Sequence, residues 1–414
     1  MKLFRTLIPL REAQSIVLSH VRRVSVEEVS FDLAAGRVLA EDIISEMDSP
    51  PFNRAAMDGY AVKAEDTFGA APDKPRVLVL HRHEPGSGSG PGSGELNEGE
   101  YIPIQTGMPM PKGSNAVLML EYGRECERDS KLEIFKPVTP GKNVSFKGED
   151  VRSGDIVLNE GRVLRATDIG MLASIGRNRV KVRKKGIIGI LSTGDELYDP
   201  KGGSKGAIAD VNSYVLAALT SVIAKPSRMG IVRDNYEALK AAIESCIADC
   251  SCDAILVSGG SSVGSRDFIG DVVEDLGEML FHGVAIRPGE PTGFGIINDK
   301  PIFCLPGYPV SMIAAFEMLV RPFLEAMHGL KGAMIRQVFA VVSKKIPSAV
   351  GRTDFVRVRL YHDDHNGDGK FYAEPVRVSG SGIISSVTSS DGFVIVEENK
   401  EGIEEGEQIG VNLW

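Results

Sequence analysis

Three short segments combine small residues with carboxylates in a way that suits phosphate and cation chemistry, and a fourth leads into a helix able to bind an oxyanion. Ser192-Thr193-Gly194-Asp195-Glu196-Leu197 joins two hydroxyls and a glycine, which let backbone N–H groups approach a phosphate, to two acids that repel it unless a divalent cation lies between. That pairing points to Mg²⁺ with a phosphorylated ligand. Another acid, Asp234, stands in Arg233-Asp234-Asn235. In a third segment Ser258, Gly259, Gly260, Ser261, Ser262 and Gly264 build an anion-binding loop, and Asp267 stands at the next helix start. The fourth, Pro306-Gly307-Tyr308-Pro309-Val310-Ser311, leads into a helix whose first N–H groups lack partners, with Pro309 suited to its first turn. Any one of these reads equally well as a tight turn or a helix cap. Together they say more, because acids at the ends of successive parallel strands converge on one rim.

The elements that must position them follow from periodicity. Ile187–Leu191 is a bounded apolar run, and Val215, Leu216, Leu219, Val222 and Ile223 then take helical spacing. Met229–Val232 precedes a helix carrying Leu239, Ala242, Ile243, Cys246 and Ile247; Ala254–Val257 precedes Phe268 to Leu276. Repeated strand–loop–helix units imply a parallel sheet covered by helices, with ligands beyond the carboxyl ends of the strands. A hairpin over Phe294–Leu305, turning at Asn298-Asp299, feeds the fourth segment and a helix to about His328.

Around this α/β unit the pattern changes. The first 45 residues read as helix, with Ala13, Ile16, Val17 and Val21 on one stripe, followed by an apolar stretch at Val38 and Leu39. From Pro50 to about Pro140 short alternating runs divided by Gly and Pro suggest a small β-rich domain holding a Gly/Ser tract at 85–94. In the basic run 177–185, Val180 and Val182 alternate with charge, as in an edge strand with one solvated face. After Gly332 the chain is β-like, with turn signals at Asn366-Gly367 and Asp391-Gly392. The expected division is 1–48 with 141–184 as a mixed scaffold and dimerisation domain, 49–140 as the small β-rich domain, 185–329 as the α/β domain and 330–414 as a C-terminal β domain.

Composition bounds the rest. A chain of 414 residues predicts about three domains, and 43% hydrophobic with 25% charged residues describes an ordinary globular chain. With 47 Lys and Arg against 56 Asp and Glu, a net charge of −9 argues against a general nucleic-acid binder. Apolar runs are far too short for a membrane span, and no signal-peptide core forms, so the expected location is the cytoplasm. Five scattered cysteines make no disulfide framework, and the spacing of Cys246, Cys250 and Cys252 is atypical for zinc. No Walker, HExxH or GxSxG sequence is present, and the Gly-rich loop follows the third strand, which is a poor Rossmann fingerprint. Asp364, Asn366, Asp368 and Gly369 mimic the start of a calcium loop, but Pro375 stands at the twelfth position, so they read as a hairpin turn.

Seven segments in order give the chain its resemblance: AMDGYA at 56–61, QTGMPMP at 105–111, GED at 148–150, STGDEL at 192–197, GGSSVG at 259–264, PGYPVS at 306–311 and GSG at 380–382. The sequence resembles the molybdopterin molybdenumtransferase family, which includes the gephyrin E domain, over nearly its whole length. The resemblance implies an elongated four-part subunit: a three-layer α/β molybdopterin-binding domain, a small β-rich domain, a mixed scaffold and a C-terminal β-barrel-like domain. It also implies a homodimer in which the α/β domain faces the small β domain of its partner. The implied reaction takes adenylylated molybdopterin and molybdate or tungstate, cleaves off AMP with Mg²⁺ present, and leaves the metal on the dithiolene sulfurs. By resemblance the catalytic set is Asp58, Thr106, Asp150, Glu196, Asp234 and Asp267, with Glu196, Asp234 and Asp267 holding the cation. The substrate is expected on Ser192, Thr193, Gly194, Asp195, Ser258, Gly259, Gly260, Ser262, Gly264, Pro306, Gly307 and Pro309. The oxyanion is expected on Arg287, Ser311, Arg352 and Ser381.

Two departures from the family pattern stand out. The segment Ile286-Arg287-Pro288-Gly289-Glu290-Pro291 carries Glu290 where many relatives carry a second cation, and Tyr308 replaces a usual Asn. The choice between molybdenum and tungsten stays open. Competing readings are a molybdopterin adenylyltransferase, which shares the α/β domain but consumes ATP, and a non-catalytic pterin or cofactor carrier or scaffold. Expected partners are a second copy of the chain, an adenylyltransferase or cofactor-accepting enzymes, with no nucleic acid and no membrane.

Overall fold

The computed structural model describes residues 7–81, 95–126, 129–202, 208–248, 252–259, 268–331, 337–362, 369–376 and 382–414. The Gly/Ser tract and the Asn366-Gly367 turn lie outside these residues.

The strand–loop–helix units form the central sheet. Its strands are β1 (Ile187–Thr193), β2 (Lys225–Val232), β3 (Ala254–Gly259), β4 (Glu278–His282), β5 (Gly293–Ile297) and β6 (Lys300–Leu305), in the order β2-β1-β3-β6-β5-β4. The first four are parallel, whereas β5 runs antiparallel to both β6 and β4, so the sheet is mixed rather than wholly parallel. The cause is local: Asn298 and Asp299 take φ of 47° and 67°, the left-handed pair that a two-residue hairpin requires. The helices are α1 (Val211–Ser221), α2 (Tyr236–Ala248), α3 (Phe268–Leu276) and α4 (Pro309–Ala315). Alternate strand residues serve opposite faces. Ile188, Ile190, Leu256 and Phe303 pack with Leu216 and Met312 on one side. Leu191, Ile255, Val257 and Ile302 pack with Leu239, Ile243, Cys246 and Val272 on the other. The unit is therefore a three-layer sandwich with its loops at one edge.

The amino-terminal region departs from the helical expectation. One helix spans Leu10–Ser19, and its buried stripe of Leu10, Ala13 and Val17 packs on the α/β core rather than on the scaffold. Gln14 Nε2 donates to Met318 O at 2.9 Å, inside the π-helical turn Phe316–Val320, where backbone carbonyls lose their α-helical partners. Past the helix, the strand Val26–Ser30 pairs antiparallel with Arg179–Arg183, whose Val180 and Val182 are buried while Arg179 and Lys181 face solvent. Propensity favours this outcome, since Val24, Val26 and Val29 are β-branched.

A six-stranded sheet carries the AMDGYA segment. Its order is Ala116–Met119, Gly59–Val62, Glu100–Ile104, Arg76–Leu80, Lys131–Ile134, Gly123–Cys126. At the other end of the chain Thr353–His362, Phe371–Pro375, Gln337–Val342, Gln408–Leu413 and Gly392–Val396 close into a five-stranded barrel, the last pairing back to the first. Asp391-Gly392 opens the strand Gly392–Val396 after a short helix, Ser385–Thr388, rather than turning a hairpin. Ile286–Arg287 pairs in parallel with Thr353–Asp354 and so ties the α/β unit to the barrel. Among the described residues no helix is long and apolar enough to cross a membrane.

Candidate functional site

The carboxyl ends of β1, β3 and β6 meet at one rim. Gly259 takes φ of 129°, and a Cβ there would sit 2.1 Å from Thr193 O, so only glycine lets the two loops approach this closely. Gly307 packs against Gly259, with 3.6 Å between a Cβ built on Gly307 and the Gly259 Cα. Asn212, in the first turn of α1, clamps the rim from below. Its Nδ2 donates to Ser258 Oγ and to Gly307 O, both at 2.8 Å. Pro306 is buried beneath Gly307, and Pro309 opens α4 at the position the sequence gives it.

The acids surround Gly194. The Asp234 N–H donates to Asp195 Oδ1 at 3.3 Å, and Thr193 Oγ1 donates to Asp234 Oδ1 at 3.4 Å. The Glu196 carboxylate folds over Gly194, its oxygens 2.9 and 3.0 Å from where a Cβ would stand. Asp195 and Glu196 are exposed, so this end of the rim presents oxygen ligands to solvent. The Ser192 hydroxyl does not. Ser192 is fully buried and its hydroxyl donates to Asp210 Oδ1 at 2.9 Å, behind the rim. Asp210 in turn caps α1, accepting from the Ser213 N–H at 3.1 Å and from Ser213 Oγ at 2.6 Å.

A second constellation lies on the small β sheet. Thr106 donates to Asp58 Oδ1 twice, from its backbone N–H at 2.7 Å and from Oγ1 at 2.8 Å. These two donors hold the Asp58 carboxyl below the ordinary aspartate range, the backbone bond being the larger cause. Both residues are exposed. Asp150 is exposed in a neighbouring loop, its N–H donating to Ser49 O at 3.1 Å. A cavity of about 400 Å³ beside this loop system, lined by Asn53, Met110, Ser114, Asn115, Pro140, Gly141, Val144 and Phe146, carries no titratable side chain. Among the described residues no hydrogen bond joins Asp58 or Asp150 to the Gly194 acids, and no group of three or more His, Cys, Asp or Glu is close enough to hold a metal ion.

Of the expected oxyanion residues, Arg287, Ser311 and Arg352 lie where the α/β unit meets the barrel. Arg287 is ion-paired with Asp354, Arg352 stands 3.7 Å from Glu290, and a Cβ on Gly289 would lie 3.3 Å from Ser311 O. Tyr308, 64% exposed, lays its ring against Gly382, 3.4 Å from a Cβ built there. Gly260, Ser262, Gly264, Asp267 and Ser381 lie outside the described residues.

Comparison with known proteins decides the family. A model described as the MoeA N-terminal region (domain I and II) matches residues 8–176, the probable molybdopterin binding domain matches 189–326, and the MoeA C-terminal region (domain IV) matches 340–414. The chain belongs to the MoeA family. A protein of Methanocaldococcus jannaschii named for molybdopterin biosynthesis is 40% identical over the full length of both chains. The molybdopterin molybdenumtransferase of Haemophilus influenzae is 32% identical over 98% of each. The crystal structure of the molybdopterin biosynthesis MoeA protein from Pyrococcus horikoshii superposes with a TM-score of 0.83 at 35% identity, covering 99% of this chain and 100% of that one.

Within this MoeA fold several residues behind the rim escape sequence reasoning. Asp210 shows itself as a helix cap, one residue before Val211, but nothing in the sequence announces its bond to Ser192. Asn212 carries no signal, since its partners lie 46 and 95 residues away. Arg228, on β2, donates to Ser213 Oγ at 3.0 Å and to Asp199 Oδ2 at 3.2 Å while its guanidinium covers the Tyr214 ring at 3.7 Å. This cluster stiffens the start of α1, from which Asn212 projects.

Proposed function

We propose that this chain inserts molybdate or tungstate into adenylylated molybdopterin and releases AMP. The observation that carries the reading is the Asn212 clamp, which sets the small-residue ends of β3 and β6 side by side and next to the acids around Gly194. Backbone at Gly259 and Gly307 can approach a flat pterin and its phosphates, while Asp195, Glu196 and Asp234 offer the hard oxygen donors that Mg²⁺ prefers. Carboxylate oxygen is the donor type that ion takes, and this reading assigns Glu196, Asp234 and Asp267 to hold it. When bound, Mg²⁺ neutralises charge on the phosphoanhydride and on departing AMP. The protein's own part is to orient: Asp210 fixes Ser192 beneath the loop, and the Thr193–Asp234 bond sets the carboxylate direction.

Asp58 and Thr106 belong to the same chemistry in this reading, reaching the rim of a partner subunit in a homodimer. Asp58, ionised at neutral pH, serves there as an acceptor for a proton or a cation. The protein is assigned to the cytoplasm. It receives its substrate from a molybdopterin adenylyltransferase and passes its product to enzymes that accept the cofactor.

The test is incubation of the purified protein with adenylylated molybdopterin and Mg²⁺, following AMP with molybdate, with tungstate and with neither. AMP release that requires an oxyanion is the expected result. Release indifferent to both oxyanions, or no release at all, overturns it.

A further inference from the structure

The two ion pairs at the junction with the barrel differ in kind. Arg287 lies on Ile286–Arg287 and pairs with Asp354 on the adjacent strand; that acid is 2% exposed and also accepts from Ser348 Oγ at 2.8 Å. A buried carboxylate held by two donors stays in place, because freeing it strands a charge in the interior. Arg352, two residues before Asp354, faces Glu290 at 3.7 Å, beyond hydrogen-bond reach, with both side chains open to solvent at 43% and 37%. Exposed pairs of this geometry are weak and exchange readily. With two arginines and two carboxylates the cluster is neutral, so a tetrahedral dianion arriving there meets no net attraction until one carboxylate leaves. Only Glu290 can leave. Its departure exposes the Arg352 guanidinium, a planar donor suited to an oxyanion.

We infer that Glu290 is a displaceable latch on the oxyanion site: it occupies Arg352 in the empty protein, and the incoming oxyanion must exchange with it. This rests on the proposed function, with the oxyanion on Arg287 and Arg352 as the family resemblance implies. Glu290 then sets anion affinity for this chain, lowering it for every anion and most for those of higher charge, since the displaced carboxylate remains close enough to repel them.

Calorimetric binding of molybdate, and of the tetrahedral monoanion perrhenate, to the full-length protein without pterin tests the latch. The proteins compared are the wild type, Glu290→Gln, Glu290→Asp, Arg352→Ala and the Glu290→Gln/Arg352→Ala double variant. Glu290→Gln is expected to tighten molybdate by up to about five-fold, the upper reach of an exposed ion pair. It should tighten perrhenate by less, and the gain should vanish in the Arg352→Ala background. Glu290→Asp, which keeps the charge, stays within two-fold of wild type, roughly the scatter such a swap produces. If Glu290→Gln leaves molybdate affinity unchanged while Arg352→Ala weakens it, the latch is wrong and the oxyanion assignment stands. Equal gains for both anions point to a rearranged loop and also overturn the latch. If Arg352→Ala has no effect, or none of the five proteins binds molybdate, the oxyanion assignment itself fails and the latch falls with it.

Discussion

Thr106 grips a single oxygen of Asp58 with two hydrogen bonds, one from its backbone and one from its side chain. The backbone bond does not depend on the side chain, so Thr106→Val removes only the hydroxyl donor. The Asp58 carboxyl should then titrate closer to the ordinary aspartate value while staying below it, because the larger cause is kept. Thr106→Ser restores the hydroxyl and should behave as wild type. Turnover should fall about ten-fold in Thr106→Val, the scale of one lost bond to a charged group, and recover in Thr106→Ser. Carboxyl-carbon NMR on aspartate-labelled protein, with Asp58→Asn for assignment, reads the titration. Coincident Asp58 titrations in wild type and Thr106→Val would remove the hydroxyl from the account.

Gly59 follows Asp58 for a packing reason. A Cβ at Gly59 would lie 1.9 Å from Leu118 O, a backbone atom of the paired strand, so the two strands must part to admit it. Gly59→Ala should cost on the order of 4 kcal/mol, as large as point substitutions usually become. Gly107 makes the contrast. It takes φ of 86° with open space around it, so Gly107→Ala meets only backbone strain, about 1–2 kcal/mol. Urea unfolding of the two variants should rank them in that order, and equal losses would mean that the Gly59–Leu118 contact yields.

His328 links stability to pH. Its ring is buried between two backbone groups: Nε2 accepts from the Gly186 N–H at 3.0 Å, and Nδ1 lies 2.7 Å from Leu324 O, to which it donates. That arrangement needs the neutral imidazole, and burial lowers its pKa below the ordinary 6.5. In the unfolded chain the ring takes a proton as pH falls through 6.5, while in the folded protein it resists. Stability contributed by His328 is therefore complete above about pH 6.5 and declines as pH falls from there toward the lower folded value. His328→Gln should be less stable at pH 7.5 and should flatten the slope of the urea midpoint between pH 5 and 6.5. A slope equal to wild type would place the titration elsewhere.

Much of the α/β architecture is legible because its signals are local. The apolar runs at Ile187–Leu191 and Ala254–Val257, the helical spacing from Leu239 to Ile247 and the Asn298-Asp299 hairpin each need only neighbouring residues, and each forms as the pattern requires. The amino terminus misled because Val21 and Val24 continue an apolar stripe while the strand that captures Val26–Ser30 lies some 150 residues away at Arg179–Arg183. The same distance problem governs the site. Asp195, Glu196 and Asp234 could be nominated from the loops that carry them, whereas Asp210 and Asn212 act through partners set by the tertiary fold. The pairing of Arg287 with Asp354 depends on the Ile286–Arg287 strand adding to the barrel, which two residues cannot announce.

Asp234 and Asp199 together test the proposed cation site. Both are carboxylates in loops next to the α/β sheet. Asp199 is already engaged, accepting from the Lys201 N–H at 2.9 Å, from Tyr214 Oη at 2.7 Å and from Arg228 at 3.2 Å, and these donors lower its pKa with the backbone bond first. Asp234 shares the exposed end of the rim with Asp195 and Glu196. If Mg²⁺ sits there, Asp234→Asn should raise the Mg²⁺ concentration for half-maximal AMP release by about ten-fold or more, roughly 1.4 kcal/mol of lost cation binding. Asp199→Asn should leave that concentration within two-fold and instead lower thermal stability by about 1 kcal/mol, through its bonds to Tyr214 and Arg228. Mg²⁺ titrations of turnover on the two variants at saturating molybdate decide the matter. A Mg²⁺ requirement that moves with Asp199 and not with Asp234 would shift the cation from the Gly194 rim to the face of α1.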